Sequence, residues 1–193
     1  MLRALLLAPP GAGKGTQGER ISEAAGVPHI ATGDLLRTHV AQDTELGRTA
    51  REFMQRGELV PDSLVLELVY GTLAEPKPRR GFVLDGFPRT LAQAEGAFSW
   101  AKRVSRTFHA VITLDVPQPE LVRRLLERGR SEGRDDDTED TICHRLDVYE
   151  SETQPLLEFY RARDILVPVD GTGTVDEVTD RIMTALGPLA PFV

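Results

Sequence analysis

Residues 8–16 read Ala-Pro-Pro-Gly-Ala-Gly-Lys-Gly-Thr, a run whose residue types suit the binding of phosphate. The apolar run 2–8 precedes it and a helix-like pattern over 16–25 follows, which is the strand–loop–helix context such a loop requires. Glycine lets the backbone wrap closely around an anion, with several N–H groups turned inward. The following helix N-terminus adds partial positive charge. Gly11, Ala12, Gly13 and Gly15 supply the cradle, Lys14 reaches toward β- and γ-phosphates, and Thr16 falls beside a magnesium ion. Phosphate-binding loops usually open on glycine. Ala8 stands at that position here, and it is expected to end the strand with ordinary backbone angles.

A second run, Phe82-Val83-Leu84-Asp85-Gly86-Phe87-Pro88-Arg89, is followed by Gln93. A carboxylate closing a buried strand is costly without a partner. Beside a phosphate loop, magnesium reached through water would serve Asp85 as that partner. Gly86 permits close approach of a ligand, and Pro88 fixes the turn that aims Arg89. Its guanidinium can clamp a phosphate through two parallel hydrogen bonds.

These residues need elements to hold them. Continuous apolar runs at 2–8, 28–30, 82–84, 110–116 and 165–169 suit parallel strands buried on both faces. Between them, helical patterns are predicted over 16–25, 33–41, 46–55, 63–73, 91–101, 119–127, 138–160 and 175–185. Strand–helix alternation throughout implies a doubly wound α/β fold. Residues 31–60 are mostly helical, without a further strand, and 129–138 form a polar loop rich in glycine and aspartate. The tail 187–193 is expected at the surface.

Composition narrows the function classes. A net charge of −7 argues against binding nucleic acid through bulk electrostatics, so positive charge for a polyanionic ligand must be gathered locally. No apolar run approaches the roughly 18 residues of a membrane span. The first residues fit a buried strand better than a signal peptide, and a cytoplasmic protein starting at Met1 is expected. Cys143 is the one cysteine, which removes an internal disulfide and a multi-cysteine zinc site. His29, His39, His109 and His144 have no ligand spacing, and Trp100 reads as a packing residue.

The segment from Phe82 to Gln93 resembles the adenylate kinase signature, and the likeness covers nearly the whole chain. Residues 31–37 (Ala-Thr-Gly-Asp-Leu-Leu-Arg) and 57–62 (Gly-Glu-Leu-Val-Pro-Asp) are similar to the family's two AMP-site segments. Residues 124–129 resemble the entry to the ATP lid. Gly133-Arg134, Asp136-Asp137 and Arg145 resemble the lid and its exit, and 169–173 the loop under the ATP adenine. Ala8, Ser63 and Asp135 depart from the usual pattern.

The resemblance implies a single kinase domain over 1–193, of P-loop NTPase-like three-layer α/β/α form. A five-stranded parallel sheet would carry a mobile AMP-binding lobe (31–60) and a short lid loop (129–138). It implies ATP binding by Gly11, Ala12, Gly13, Lys14, Gly15, Thr16, Arg124, Arg128 and Gly173. It implies AMP binding by Thr32, Arg37, Glu58, Leu59, Val60, Gly86, Phe87, Pro88, Arg89, Gln93, Arg134 and Arg145. Lys14, Arg89, Arg128, Arg134 and Arg145 would be catalytic, with Mg²⁺ held by Thr16 and, through water, by Asp85. The ten-residue lid leaves no room for zinc. The activity implied is reversible phosphoryl transfer from ATP to AMP, giving two ADP, in a monomer without nucleic-acid or membrane partners. The alternatives are a UMP/CMP kinase and a nucleotide-binding scaffold without turnover. Thr32 and Gln93 favour AMP, since pyrimidine kinases of this type tend to carry Ala and Asn there.

Overall fold

The apolar runs become five short parallel strands, each packed beneath a helix. The computed structural model describes residues 2–132 and 138–187. Strand β1 (Arg3–Leu6) leads through the glycine-rich loop into helix α1 (Lys14–Ala25). Then come β2 (His29–Ala31), α2 (Thr32–Ala41), α3 (Glu45–Arg56), α4 (Asp62–Ala74) and β3 (Phe82–Asp85). The second half holds α5 (Leu91–Arg103), β4 (Ala110–Asp115), α6 (Gln118–Glu132), α7 (Glu139–Val148), α8 (Leu156–Arg161), β5 (Leu166–Asp170) and α9 (Val175–Leu186).

The sheet order is β2-β3-β1-β4-β5 with every pairing parallel. From β1 the chain winds to one side through β2 and β3 and to the other through β4 and β5. That reversal leaves a crevice at the carboxyl ends of the strands, where α/β proteins bind ligands. The loops after β1 and β3 both open into it, and Leu6 lies in register with Asp85.

Neighbouring residues of β1 serve opposite faces, as strand geometry demands. Ala4 and Leu6 join Ile21, Leu125, Val178 and Ile182 in one core. Leu5 and Leu7 join Val69, Phe82, Ala97 and Tyr160 in the other. Trp100 packs against the second core and stacks on Tyr70, with ring centroids 5.3 Å apart.

Two predicted helices differ in extent. Helix α6 continues past residue 127 to Glu132, so the predicted lid loop begins as helix. Ion pairs between Arg123 and both Glu120 and Glu127, at 2.7 and 2.6 Å, line its exposed face. Residues 133–137 lie outside the described residues. The single helix expected over 138–160 is divided into α7, a π-helical turn at Tyr149–Thr153 and α8. Pro155 cannot donate a backbone hydrogen bond, which favours the restart there. The π turn faces the crevice.

In the region predicted as a lobe, α2 and α3 touch through backbone. A Cβ on Gly47 would stand 2.0 Å from the His39 carbonyl oxygen. Thr44 caps α3 by accepting the Gly47 N–H at 3.0 Å, so this glycine cannot shift without losing the cap. Gly47→Ala is therefore expected to destabilise the fold by about 3 kcal/mol through overpacking. On a chain of this size that lowers Tm by about 6–12 °C, read by thermal unfolding. An unchanged Tm would show that the two helices separate freely.

Candidate active site

The phosphate loop takes the form that its sequence asks for. Positive φ falls on Gly11 (82°) and Gly13 (93°), and Ala8 keeps the ordinary backbone expected of it. A side chain on Gly11 would also meet the Leu121 carbonyl oxygen at 2.8 Å. No side chain caps α1, so the N–H groups of its first turn, at Lys14, Gly15 and Thr16, are open to an anion. The Lys14 ammonium donates to the carbonyl oxygens of Ala8 (2.8 Å) and Pro9 (3.0 Å), which folds it back along its own loop.

Several charges converge on this lysine. Desolvation by the surrounding protein pushes its pKa down to about 8, Asp85 opposes that shift, and Arg89, Arg145 and Arg128 add to it. Arg89 is itself lowered, first by desolvation and then by Arg145 and Arg37, with Asp85 again opposing. Its side chain reaches solvent in the open crevice, yet protein surrounds its charge. Lys14, Arg37, Arg89, Arg128 and Arg145 thus share one electrostatic neighbourhood, with Asp85 in it. The local positive charge demanded by a chain of net charge −7 is present. Cations gathered this closely favour the binding of an anion.

Two buried polar atoms beside this cluster lack hydrogen-bond partners. Asp85 Oδ1 and Thr32 Oγ1 are buried without any partner, at the end of β3 and the start of α2. Buried polar groups are nearly always satisfied, so orphans beside a cation cluster mark where a ligand binds. The carboxylate Asp85 suits a hydrated divalent cation beside the phosphate loop. Gln93, only 2% exposed, is held by its neighbours and lines the cavity. Its Oε1 accepts the Arg89 N–H at 2.8 Å, and its Nε2 donates to Asp62 Oδ1 at 2.5 Å.

Of the residues predicted around the second nucleotide, Thr32, Arg37, Glu58, Leu59, Val60, Gly86, Pro88, Arg89, Gln93 and Arg145 line one cavity with Lys14. Phe87 does not. Its side chain is 1% exposed and packs in the core, because the turn after β3 alternates its faces. Arg37 pairs with Asp34 one helical turn away, and Glu58 with Arg56 at 2.9 Å. Arg124 stands apart from the cation cluster. It bonds Glu120 at 2.7 Å and the Gly171 carbonyl at 3.3 Å, tying α6 to the loop that holds Gly173. Arg134 lies outside the described residues.

The sequence did not single out Thr153 or Tyr149, and it gave Asp62 no role beyond closing the segment 57–62. Thr153, in the π turn, donates to the Arg89 carbonyl at 2.8 Å from 64 residues away. Tyr149, in the same turn, lines the cavity with its pKa pushed up to about 12, chiefly by burial. Asp62 binds both Gln93 and Thr90. A π turn often marks a functional site, but no local pattern announces one in advance.

Comparison with known proteins agrees with this arrangement. The family model described as adenylate kinase matches residues 6–165. An adenylate kinase of Thermus thermophilus is 49% identical over 183 residues, covering 95% of this chain and 96% of the relative. One of Kocuria rhizophila is 49% identical over 186 residues, covering 96% and 99%. One of Thermobifida fusca is 46% identical over 185 residues, covering 96% and 98%. With that likeness covering nearly the whole chain, the chain belongs to the adenylate kinase family of phosphotransferases.

Proposed function

We propose that the chain transfers the γ-phosphoryl group of ATP to AMP, reversibly and with Mg²⁺, giving two ADP. The observation that carries this reading is the cation cluster between the phosphate loop and the cavity containing Thr32 and Gln93. A phosphoryl group passing from one side to the other would cross it. Phosphoryl transfer asks a protein for positioning and charge stabilisation more than for covalent chemistry. The AMP phosphate oxygen is already an anion near neutral pH, so no strong general base is required.

ATP phosphates would take the place of the Ala8 and Pro9 carbonyls as acceptors for Lys14 and would bind the first-turn N–H groups of α1. Gly173, near Arg124, would lie by the adenine of ATP. Thr32, Arg37 and the segment 58–60 would hold AMP, with Gln93 on its base edge. Arg89, Arg128 and Arg145, joined by Arg134, would balance the charge spread over the transferring group. Thr16, and Asp85 through water, would hold Mg²⁺, which when bound neutralises phosphate charge and aligns the phosphates. Residues 31–60 would act as the AMP-binding lobe and 129–138 as the lid, closing to exclude water, the competing acceptor. No helix among the described residues is long and apolar enough to cross a membrane. A cytoplasmic monomer is the proposed working form.

The test is coupled detection of ADP from ATP and Mg²⁺ with AMP, UMP, CMP or GMP as acceptor. Rapid turnover with AMP alone is expected. Preference for UMP or CMP would overturn the acceptor, and tight ATP binding without any turnover would overturn the kinase reading.

The lowered pKa of Lys14 has its own consequence. Only the protonated amine attracts phosphate, and bound phosphates raise its pKa. ATP binding should therefore take up a proton above pH 8, with Kd rising toward tenfold per pH unit. Equilibrium binding between about pH 7 and 10 checks this, with Lys14→Arg, charged throughout the range, as the flat reference. A wild-type profile as flat as that of the arginine variant would contradict it.

A further inference from the structure

Gln93 is the residue through which the cavity would read a base, and its amide is held from two sides. A backbone N–H, that of Arg89, faces its oxygen at 2.8 Å. A carboxylate oxygen of Asp62 faces its nitrogen at 2.5 Å. The other Asp62 oxygen accepts the Thr90 hydroxyl at 3.1 Å, and that hydroxyl oxygen accepts the Gln93 N–H at 3.2 Å. Asp62 opens α4 and Thr90 caps α5, so the ring of contacts ties two helix starts together.

The chemistry of these partners leaves the amide one orientation. A backbone N–H can only donate, and an ionised carboxylate can only accept. Rotating the amide by half a turn would set donor against donor at Arg89 and acceptor against acceptor at Asp62. A free glutamine pays no such cost and can present its two ends in either order. Here each end keeps one valence, a second proton on Nε2 and a second lone pair on Oε1, in a fixed order.

A purine with an amino group at C6 offers a donor there and an acceptor at N1. A purine with a carbonyl at C6 offers an acceptor there and a donor at N1. An amide locked in one order pairs with both groups of the first edge and opposes both groups of the second. We propose that Asp62 is a positioning residue that selects 6-amino over 6-oxo purine monophosphates by locking the Gln93 amide. The inference rests on the AMP reading above and names the residue that enforces it. Asp62 lies 31 positions from Gln93 and touches the base only through it.

The experiment compares AMP with IMP, which differs at C6 and N1 and carries no additional 2-amino group. Wild-type protein is expected to favour AMP by about a thousandfold or more in kcat/KM, as sites built on buried hydrogen bonds do. In Asp62→Asn the partner can present either a donor or an acceptor to Gln93, and the lock loosens. The AMP-to-IMP ratio is expected to fall by about tenfold or more, with the loss for AMP falling on KM more than on kcat. The ratio does not depend on the fraction of protein folded, which separates positioning from simple structural support. Should Asp62→Asn fold poorly, Asp62→Ala carries the same expectation, since water in the vacated place can donate or accept. An unchanged ratio, or equal loss of kcat for both substrates, overturns the role of Asp62. Failure of wild-type protein to use AMP at all would instead overturn the function on which it rests.

Discussion

Replacing Lys14 with methionine is expected to lower kcat/KM for phosphoryl transfer by about a thousandfold, the scale of removing a preorganised charge-stabilising donor. Methionine keeps the length and apolar stem of lysine and deletes the ammonium. In the free protein that ammonium donates to two carbonyl oxygens of its own loop, and Asp85 favours its charge without offsetting the cost of burying it. Its pKa is lowered to about 8, first by desolvation and then by neighbouring arginines, so folding disfavours its charge. The substitution should therefore leave Tm unchanged or raise it while activity collapses. A coupled assay beside a thermal melt reads both quantities. Activity within tenfold of the parent would remove Lys14 from the mechanism. A lower Tm would show that its two carbonyl contacts outweigh the cost of placing its charge there.

Replacing Arg89 with alanine should cost about as much, near a thousandfold in kcat, and its structural consequences should be small. The backbone of Arg89 is fixed independently of its side chain. Its N–H is held by Gln93 Oε1 and its carbonyl by Thr153 Oγ1, each at 2.8 Å. The side chain adds one local bond, from Nε to the Gly86 carbonyl at 2.9 Å. Arg89→Ala removes the planar fork from an ordered frame, and Arg89→Lys restores the charge without the fork. The lysine variant is expected to recover no more than about tenfold, because an ammonium cannot make two parallel bonds to a phosphate. Recovery to parental rates would show that position 89 supplies charge alone.

Gln93 shows the boundary between what the sequence fixes locally and what folding adds. The family resemblance makes it an expected AMP-binding residue, but the sequence does not reveal which way its amide faces. That depends on Asp62, brought beside it by the packing of α4 on α5. For Arg124 the family pattern implies an ATP-site role, and folding adds its partners: its guanidinium reaches Glu120 and Gly171. Phe87 sits within a signature segment, yet alternation of faces after β3 sends its ring into the core.

By itself the sequence determined the five buried strands, the helices between them, the phosphate loop with its positive-φ glycines, and the carboxylate closing β3. Each follows from rules that act over a few residues, namely hydrophobic period, the φ range open to glycine, and the cost of an unpaired charge at a strand end. Only the tertiary structure decided the π turn that divides 138–160, the Thr153 hydroxyl on the Arg89 carbonyl, the orientation of Gln93 and the gathering of Arg37, Arg128 and Arg145 about Lys14 and Arg89. These are contacts between residues tens of positions apart. Their partners are chosen by how layers pack and by the need to satisfy polar groups once buried, and neither leaves a short-range mark on the chain.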